Sequence, residues 1–132
     1  MNRGRSLFPQ ADYALREHNT RVIFSPVFAL EYFNATVMAA IDAWPDGMRA
    51  RYLALALRMV EYGPDLGMPH TEAMGGGLFE IRANGREGIG RAFYCTLKSR
   101  RIVILHAFIK KTQKTPNREL RLARQRMKEV NR

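Results

Sequence analysis

Between residues 78 and 109 the chain holds three strand-length segments joined by connections of only a few residues. This arrangement limits the fold more than any other feature. A parallel neighbour needs a crossover of roughly a dozen residues or more, and the connections here are too short for one. Residues 78–83 alternate, with Phe79 and Ile81 on one parity and Glu80 and Arg82 on the other. Asn84-Gly85 signals a tight turn, with Gly88 close behind. Residues 90–97 form the second strand, and Arg91 is its one charged residue. Residues 98–101 make a polar turn, and 102–109 are apolar enough for a central strand. The expectation is an antiparallel meander. Arg91 shares its parity with Phe93, Cys95 and Leu97. Showing Arg91 to solvent therefore requires a bulge, or a sheet face covered over only part of its extent.

Helical periods flank this meander. Residues 30–33 read as a strand that joins the same sheet. Thr36 fits an N-cap for a short helix at 37–44, which Pro45 ends, and Asp46 fits the cap of the next helix. Met48, Tyr52, Leu55, Met59 and Tyr62 follow at spacings of 4, 3, 4 and 3, one face of a helix closed by Gly63-Pro64. Ala54, Ala56 and Leu57 widen that stripe, and its methionines read as core filler. Residues 63–77 read as loop, with Pro64, Pro69 and the run Gly75-Gly76-Gly77. A glycine run cradles phosphate when a helix follows it, and here a strand follows. Thr115-Pro116 opens a last helix with proline at its first position and Leu120, Ala123, Met127 and Val130 as its apolar face. The fold class is thus α+β: a small antiparallel sheet with an N-terminal helix hairpin and a C-terminal helix. Residues 1–27 read as an extension, disordered or packed on a domain edge, with a short strand at 21–24 cut off by Ser25-Pro26.

A chain of 132 residues suits one domain with one core. The formal charge of +10 is uneven. Up to residue 77 there are seven Lys/Arg against eight Asp/Glu; from residue 78 on there are fifteen against four. The C-terminal half therefore presents a basic face. Nucleic acid is the leading partner class, ahead of an acidic protein and an anionic membrane surface. No apolar run is long enough to span a bilayer, and the first residues lack the apolar stretch of a secretory signal. The lone Cys95 lies in a strand, where a buried, inert thiol in a reducing, cytoplasmic setting is expected.

Candidate chemistry concentrates in the strands and after them. His18, His70 and His106 form no close pair and there is one cysteine, so no metal site is expected. Gly85-Arg-Glu-Gly-Ile-Gly90 has the wrong spacing for a dinucleotide turn. The run from His106 to Pro116 carries three lysines, a histidine and two threonines where a simple junction needs only turn residues. Such groups hold phosphodiesters. Glu80, Arg82, Arg91 and His106 sit within strands. They read either as a solvated, ion-paired face or as a cationic face that holds single-stranded RNA, with Tyr94 and Phe108 stacking on bases. RNA cleavage by the ribose 2′-hydroxyl needs no cofactor. It needs a base, cations for the phosphorane and an acid for the leaving oxygen. Glu80 or a lysine suits the first role, and His106 or a lysine the last.

Four segments carry a family resemblance: Glu61-Tyr-Gly-Pro-Asp-Leu-Gly-Met-Pro-His70, Gly77-Leu-Phe-Glu-Ile-Arg82, Gly88-Ile-Gly-Arg-Ala-Phe-Tyr94 and the run from His106 to Pro116. In order and spacing, from about residue 32 to 130, the chain resembles the phage-derived branch of the RelE/HigB toxin superfamily. The resemblance implies a toxin domain over 28–132 in a type II toxin–antitoxin pair. It also implies a metal-free endoribonuclease that cuts messenger RNA in the ribosomal A site, with a helix-turn-helix antitoxin as partner. A non-catalytic nucleic-acid- or antitoxin-binding module derived from a phage protein is the alternative. Carried over by motif, Arg91 matches the phosphate-contacting arginine, and Glu80 and Arg82 match a catalytic strand position. Phe108, Lys110, Lys111 and Lys114 match the terminal strand and basic loop. With His106 and Lys110 counted as catalytic, the RNA-binding group is Tyr94, Phe108, Lys111, Lys114 and Arg118. The catalytic C-terminal tyrosine of some relatives has no counterpart after Tyr94.

Overall fold

The computed structural model describes residues 27–132. In chain order it runs β1 (Ala29–Tyr32), α1 (Ala35–Asp42), α2 (Asp46–Tyr62), β2 (Thr71–Gly75), β3 (Leu78–Gly85), β4 (Gly88–Leu97), β5 (Arg101–Lys110) and α3 (Asn117–Val130). Five strands form one sheet in the order β1-β5-β4-β3-β2. β2 to β5 are antiparallel neighbours, as the short turns require, and β1 lies parallel to β5 at the edge. This is the α+β arrangement expected from the sequence. The extension expected at 1–27, with its strand at 21–24, lies outside the described residues but for Val27.

Each face of the sheet has its own apolar layer. On one face Ile81, Ala83, Ala92, Tyr94, Ile102 and Ile104 pack with Met48, Tyr52, Leu55 and Met59 of α2 and with Val37 and Ile41 of α1. On the other face Leu78, Phe93, Cys95, Val103 and Leu105 pack with Ala123, Leu120, Met127 and Val130 of α3. Cys95 is buried, and burial pushes its thiol up to about 11, as an inert packing residue requires. The register of β4 and β5 slips between Phe93–His106 and Tyr94–Ile104, so Leu105 is an extra residue on β5. A second slip between Ala73 and Gly75 makes Met74 extra on β2. Arg126 of α3 donates to the Leu105 carbonyl at 2.8 Å and lies over the Phe33 ring; Arg124 donates to the carbonyls of Met74 at 2.9 Å and Gly75 at 3.1 Å.

Local details depart from the expectation in several places. The cap of α1 is Asn34, whose side chain accepts from the Val37 amide at 2.9 Å, and Thr36 lies inside the helix. Asp46 does not cap α2; it pairs with Arg49 at 2.7 Å. The amide of Gly47 is instead taken by Glu87 Oε2 at 2.9 Å, a carboxylate from the β3–β4 turn. Gly85 permits that approach, since a Cβ there would stand 2.7 Å from the Met48 nitrogen. Residues 71–75, read as loop, form β2, and Pro116 precedes α3 rather than opening it. On α2 the buried stripe takes in Val60 and leaves Ala54, Leu57 and Tyr62 exposed, with Tyr62 at 75%. That stripe is narrower than its apolar composition because α2 meets the sheet along one line.

The two leucines of α2 therefore differ sharply: Leu55 is 1% exposed and Leu57 is 52% exposed. Leu55→Ala is expected to cost about 2–5 kcal/mol. Leu57→Ala should stay within about 0.5 kcal/mol. Urea midpoints at unchanged slope measure both, and equal losses would contradict the packing described.

Candidate functional site

Among the described residues α3 is the helix on this sheet face, and it covers the β4–β5 turn end. Two cross-strand rows lie at its edge and beyond it. Glu80 of β3 stands opposite Phe93 of β4, which stands opposite His106 of β5. Two pairs further along, on the same face, Arg82 stands opposite Arg91, which stands opposite Phe108. Beyond them Ile89 faces Lys110, and Glu72 of β2 flanks Glu80. Phe93 and Cys95 lie under α3 and Arg91 lies past it, yet Arg91 is only 3% exposed, so the partial cover expected from its parity does not show it to solvent. Of the residues singled out from the sequence, Glu80, Arg82, Arg91, His106, Phe108 and Lys110 come together on this face.

Glu80 and Arg91 form its centre. Their side chains are each 3% exposed, with Arg91 Nε 3.7 Å from Glu80 Oε1. Arg91 Nη1 donates to Asn84 Oδ1 at 2.7 Å and to the Gly90 carbonyl at 2.9 Å. Arg82 donates to Glu72 at 3.2 Å and, at 3.5 Å, to Glu80. Among the described residues Glu80 Oε2 and Arg91 Nε are buried without a hydrogen-bond partner. Such atoms cost about 1–3 kcal/mol each. Burial pushes the Glu80 carboxyl above its ordinary value of 4.5, against the pull of Arg91, Arg82 and Lys110. Burial likewise lowers the Arg91 guanidinium, helped by repulsion from Arg82. Both shifts have one meaning: removal from water outweighs the attraction within the pair.

At the edge of this centre His106 Nε2 lies 2.6 Å from Glu119 Oε1 on the first turn of α3, both side chains 16% exposed. The His106 and Phe108 rings stack with centroids 5.7 Å apart at 18°. Lys111 and Lys114 are exposed in the bend after β5, and Arg118 is 78% exposed on α3 beside Glu119. Tyr94 is not part of this face. It is fully buried on the α2 side, stacked on Phe79, and its hydroxyl donates to the Pro64 carbonyl. It cannot stack on a base, which corrects the sequence expectation. Glu72, Asn84 and Glu119 join the site without having been singled out. Asn84 reads as a turn residue and Glu72 lies in a stretch read as loop. Glu119 carries only the signal of an acid in a helix's first turn. A hollow of about 270 Å³ at the other end of the sheet, lined by Leu97, Lys98, Arg101, Val130, Asn131 and Arg132, takes in none of these groups. Among the described residues no His/Cys/Asp/Glu cluster could hold a metal, and no helix is long and apolar enough to cross a membrane.

The raised Glu80 carboxyl gives a pH signature. The native state keeps its proton above pH 4.5, where the unfolded chain has released it. Stability contributed by Glu80 therefore falls as pH rises from 4.5 through the raised value. Urea denaturation at stepped pH should show wild type losing ground to Glu80→Gln across that window. A gain by wild type would mean that the fold favours the carboxylate.

A family model described as Phage derived protein Gp49-like (DUF891) matches residues 39–128. No curated protein matches the chain. The matched stretch begins in α1, ends in α3 and holds every residue of the site just described. Since it spans most of the chain, the protein belongs to the Gp49-like family of phage-derived proteins.

Proposed function

We propose that this protein is the toxin of a type II toxin–antitoxin pair, an endoribonuclease that cuts messenger RNA on the ribosome in the cytoplasm. The family to which it belongs is associated with the toxins of toxin–antitoxin pairs. The observation that carries the reading is the pair of rows. Glu80 and His106 stand on strands either side of Phe93, about 10 Å apart at the usual strand spacing, with Arg91 and Lys110 alongside. An in-line displacement places the entering and leaving oxygens on opposite sides of phosphorus, and a base and an acid so separated suit it.

In this reading the Glu80 carboxylate takes the proton of the ribose 2′-hydroxyl. Burial raises its affinity for a proton, the direction that suits a base. The 2′-oxygen bonds to phosphorus, and the bond from phosphorus to the 5′-oxygen breaks. His106 gives a proton to that oxygen. A 2′,3′-cyclic phosphate and a 5′-hydroxyl result. Arg91, Arg82 and Lys110 stabilise the charge on the equatorial oxygens. Phe108 is the stacking surface for a base, and Lys111, Lys114 and Arg118 hold flanking phosphates and ribosomal RNA. A cognate helix-turn-helix antitoxin would cover this face with an acidic segment.

One observation favours a second reading, a binding module without catalysis. Arg91 is 3% exposed and its Nη1 is already committed to Asn84 and Gly90, so only a corner of the guanidinium remains for a ligand. The deciding experiment maps RNA ends after brief induction in cells. Arg91→Ala would take from Glu80 its buried partner, at up to about 3–5 kcal/mol, so Arg91→Lys is the better variant. Wild type should create new ends phased to codons, and Arg91→Lys should reduce them about a hundredfold or more. No new ends from wild type would exclude the nuclease. For the bend, Lys111→Gln with Lys114→Gln should weaken binding of single-stranded RNA and lower the slope of log K against log salt by about 1.4, about 0.7 for each charge. An unchanged slope would remove these lysines from the interface.

A further inference from the structure

We propose that Glu119 is a positioning residue that sets the tautomer of His106. It holds the imidazole as the form protonated at Nε2 and leaves Nδ1 as the nitrogen that exchanges a proton with a ligand. His106 Nε2 and Glu119 Oε1 stand 2.6 Å apart. An ionised carboxylate only accepts, so the hydrogen between these atoms sits on Nε2. Both side chains are 16% exposed, so little water competes for either. The carboxylate is also held in place. Ala123, one helical turn on, is fully buried, while Arg124 and Arg126 fasten α3 to main-chain carbonyls of the sheet. The ring is held from the other side by its stack on Phe108. An imidazole fixed at one nitrogen by a carboxylate and along its face by an aromatic ring has one nitrogen left for chemistry.

The consequence for cleavage rests on His106 being the proton donor of the proposed function. In that step the imidazolium gives its Nδ1 proton to the leaving 5′-oxygen and remains as the neutral Nε2–H form, the form that Glu119 favours. The carboxylate touches neither substrate nor reacting atom and acts through the ring.

Two measurements test this. Two-bond ¹H–¹⁵N correlation spectra of the ¹⁵N-labelled chain report the protonation of each ring nitrogen of His106 without any substrate. Wild type should show Nε2 protonated across neutral pH, and Glu119→Gln should lose that preference, since a carboxamide can donate as well as accept. A neutral ring protonated at Nδ1 in wild type, or an unchanged ring in Glu119→Gln, overturns the inference. In cleavage assays with ribosomes, Glu119→Gln should lower kcat about tenfold or more at nearly constant KM. Arg124→Gln, which removes the clasp on β2, leaves Arg126 to hold α3 and does not touch His106, should not. Equal losses from both would assign Glu119 a purely structural role. If wild type cleaves nothing, the proposed function falls, and the spectra alone decide the inference.

Discussion

A 14-residue helix is about 21 Å long and a ten-residue strand about 33 Å, and this mismatch governs the molecule. α3 cannot cover the whole of the sheet face on which it lies. The part it covers is apolar, with Leu78, Phe93, Cys95, Val103 and Leu105 beneath it. Past its first turn, where Glu119 meets His106, the strands carry Glu80, Arg82, Arg91 and Lys110. A change of side-chain chemistry along β4, from Cys95 and Phe93 to Arg91, thus marks the place where the helix stops. The site is a consequence of layer geometry before it is a matter of any one residue.

Its centre is costly to keep. Two opposite charges at 3% exposure attract each other, but the direction of both shifts shows desolvation prevailing. Glu80 Oε2 and Arg91 Nε also lack hydrogen-bond partners among the described residues. An apolar pair of similar volume would serve stability as well or better, so packing alone gives no reason for Glu80 and Arg91. Groups held under such strain are where perturbed proton affinities and ligand contacts concentrate. The wide difference between this centre and the solvated lysines of the bend also divides labour. The buried pair has fixed geometry, and Lys111 and Lys114 have reach.

Much of the fold was legible because periods and turns agree with each other. The meander could be read from alternation at Phe79–Arg82 and the turn at Asn84-Gly85, and α2 from the spacing of Met48, Tyr52, Leu55 and Met59. What escaped depended on contacts distant in sequence. β2 is short, ends in glycines and has no alternating pattern. Thr71 in it is buried because its hydroxyl accepts from the amides of Leu66 and Gly67. Asn34 and Thr36 are both competent caps, and the entry of the chain from β1 decides between them. Tyr94 is one residue out of phase with Arg91 and Phe93, so a face that holds Arg91 excludes it. Its aromatic character had suggested RNA, but its phase on the strand ruled that out. Glu119 meets His106 only because a helix docks, and no local pattern announces that.

The two places where strand pairing slips have an effect that outlasts any particular side chain. An extra residue frees a peptide oxygen from the ladder, and each freed oxygen, at positions 74 and 105, is gripped by an arginine of the last helix. Peptide oxygens are common to all amino acids. Those two positions can therefore drift through many substitutions while the clasp persists, whereas shortening either strand by the one surplus residue would undo it at once.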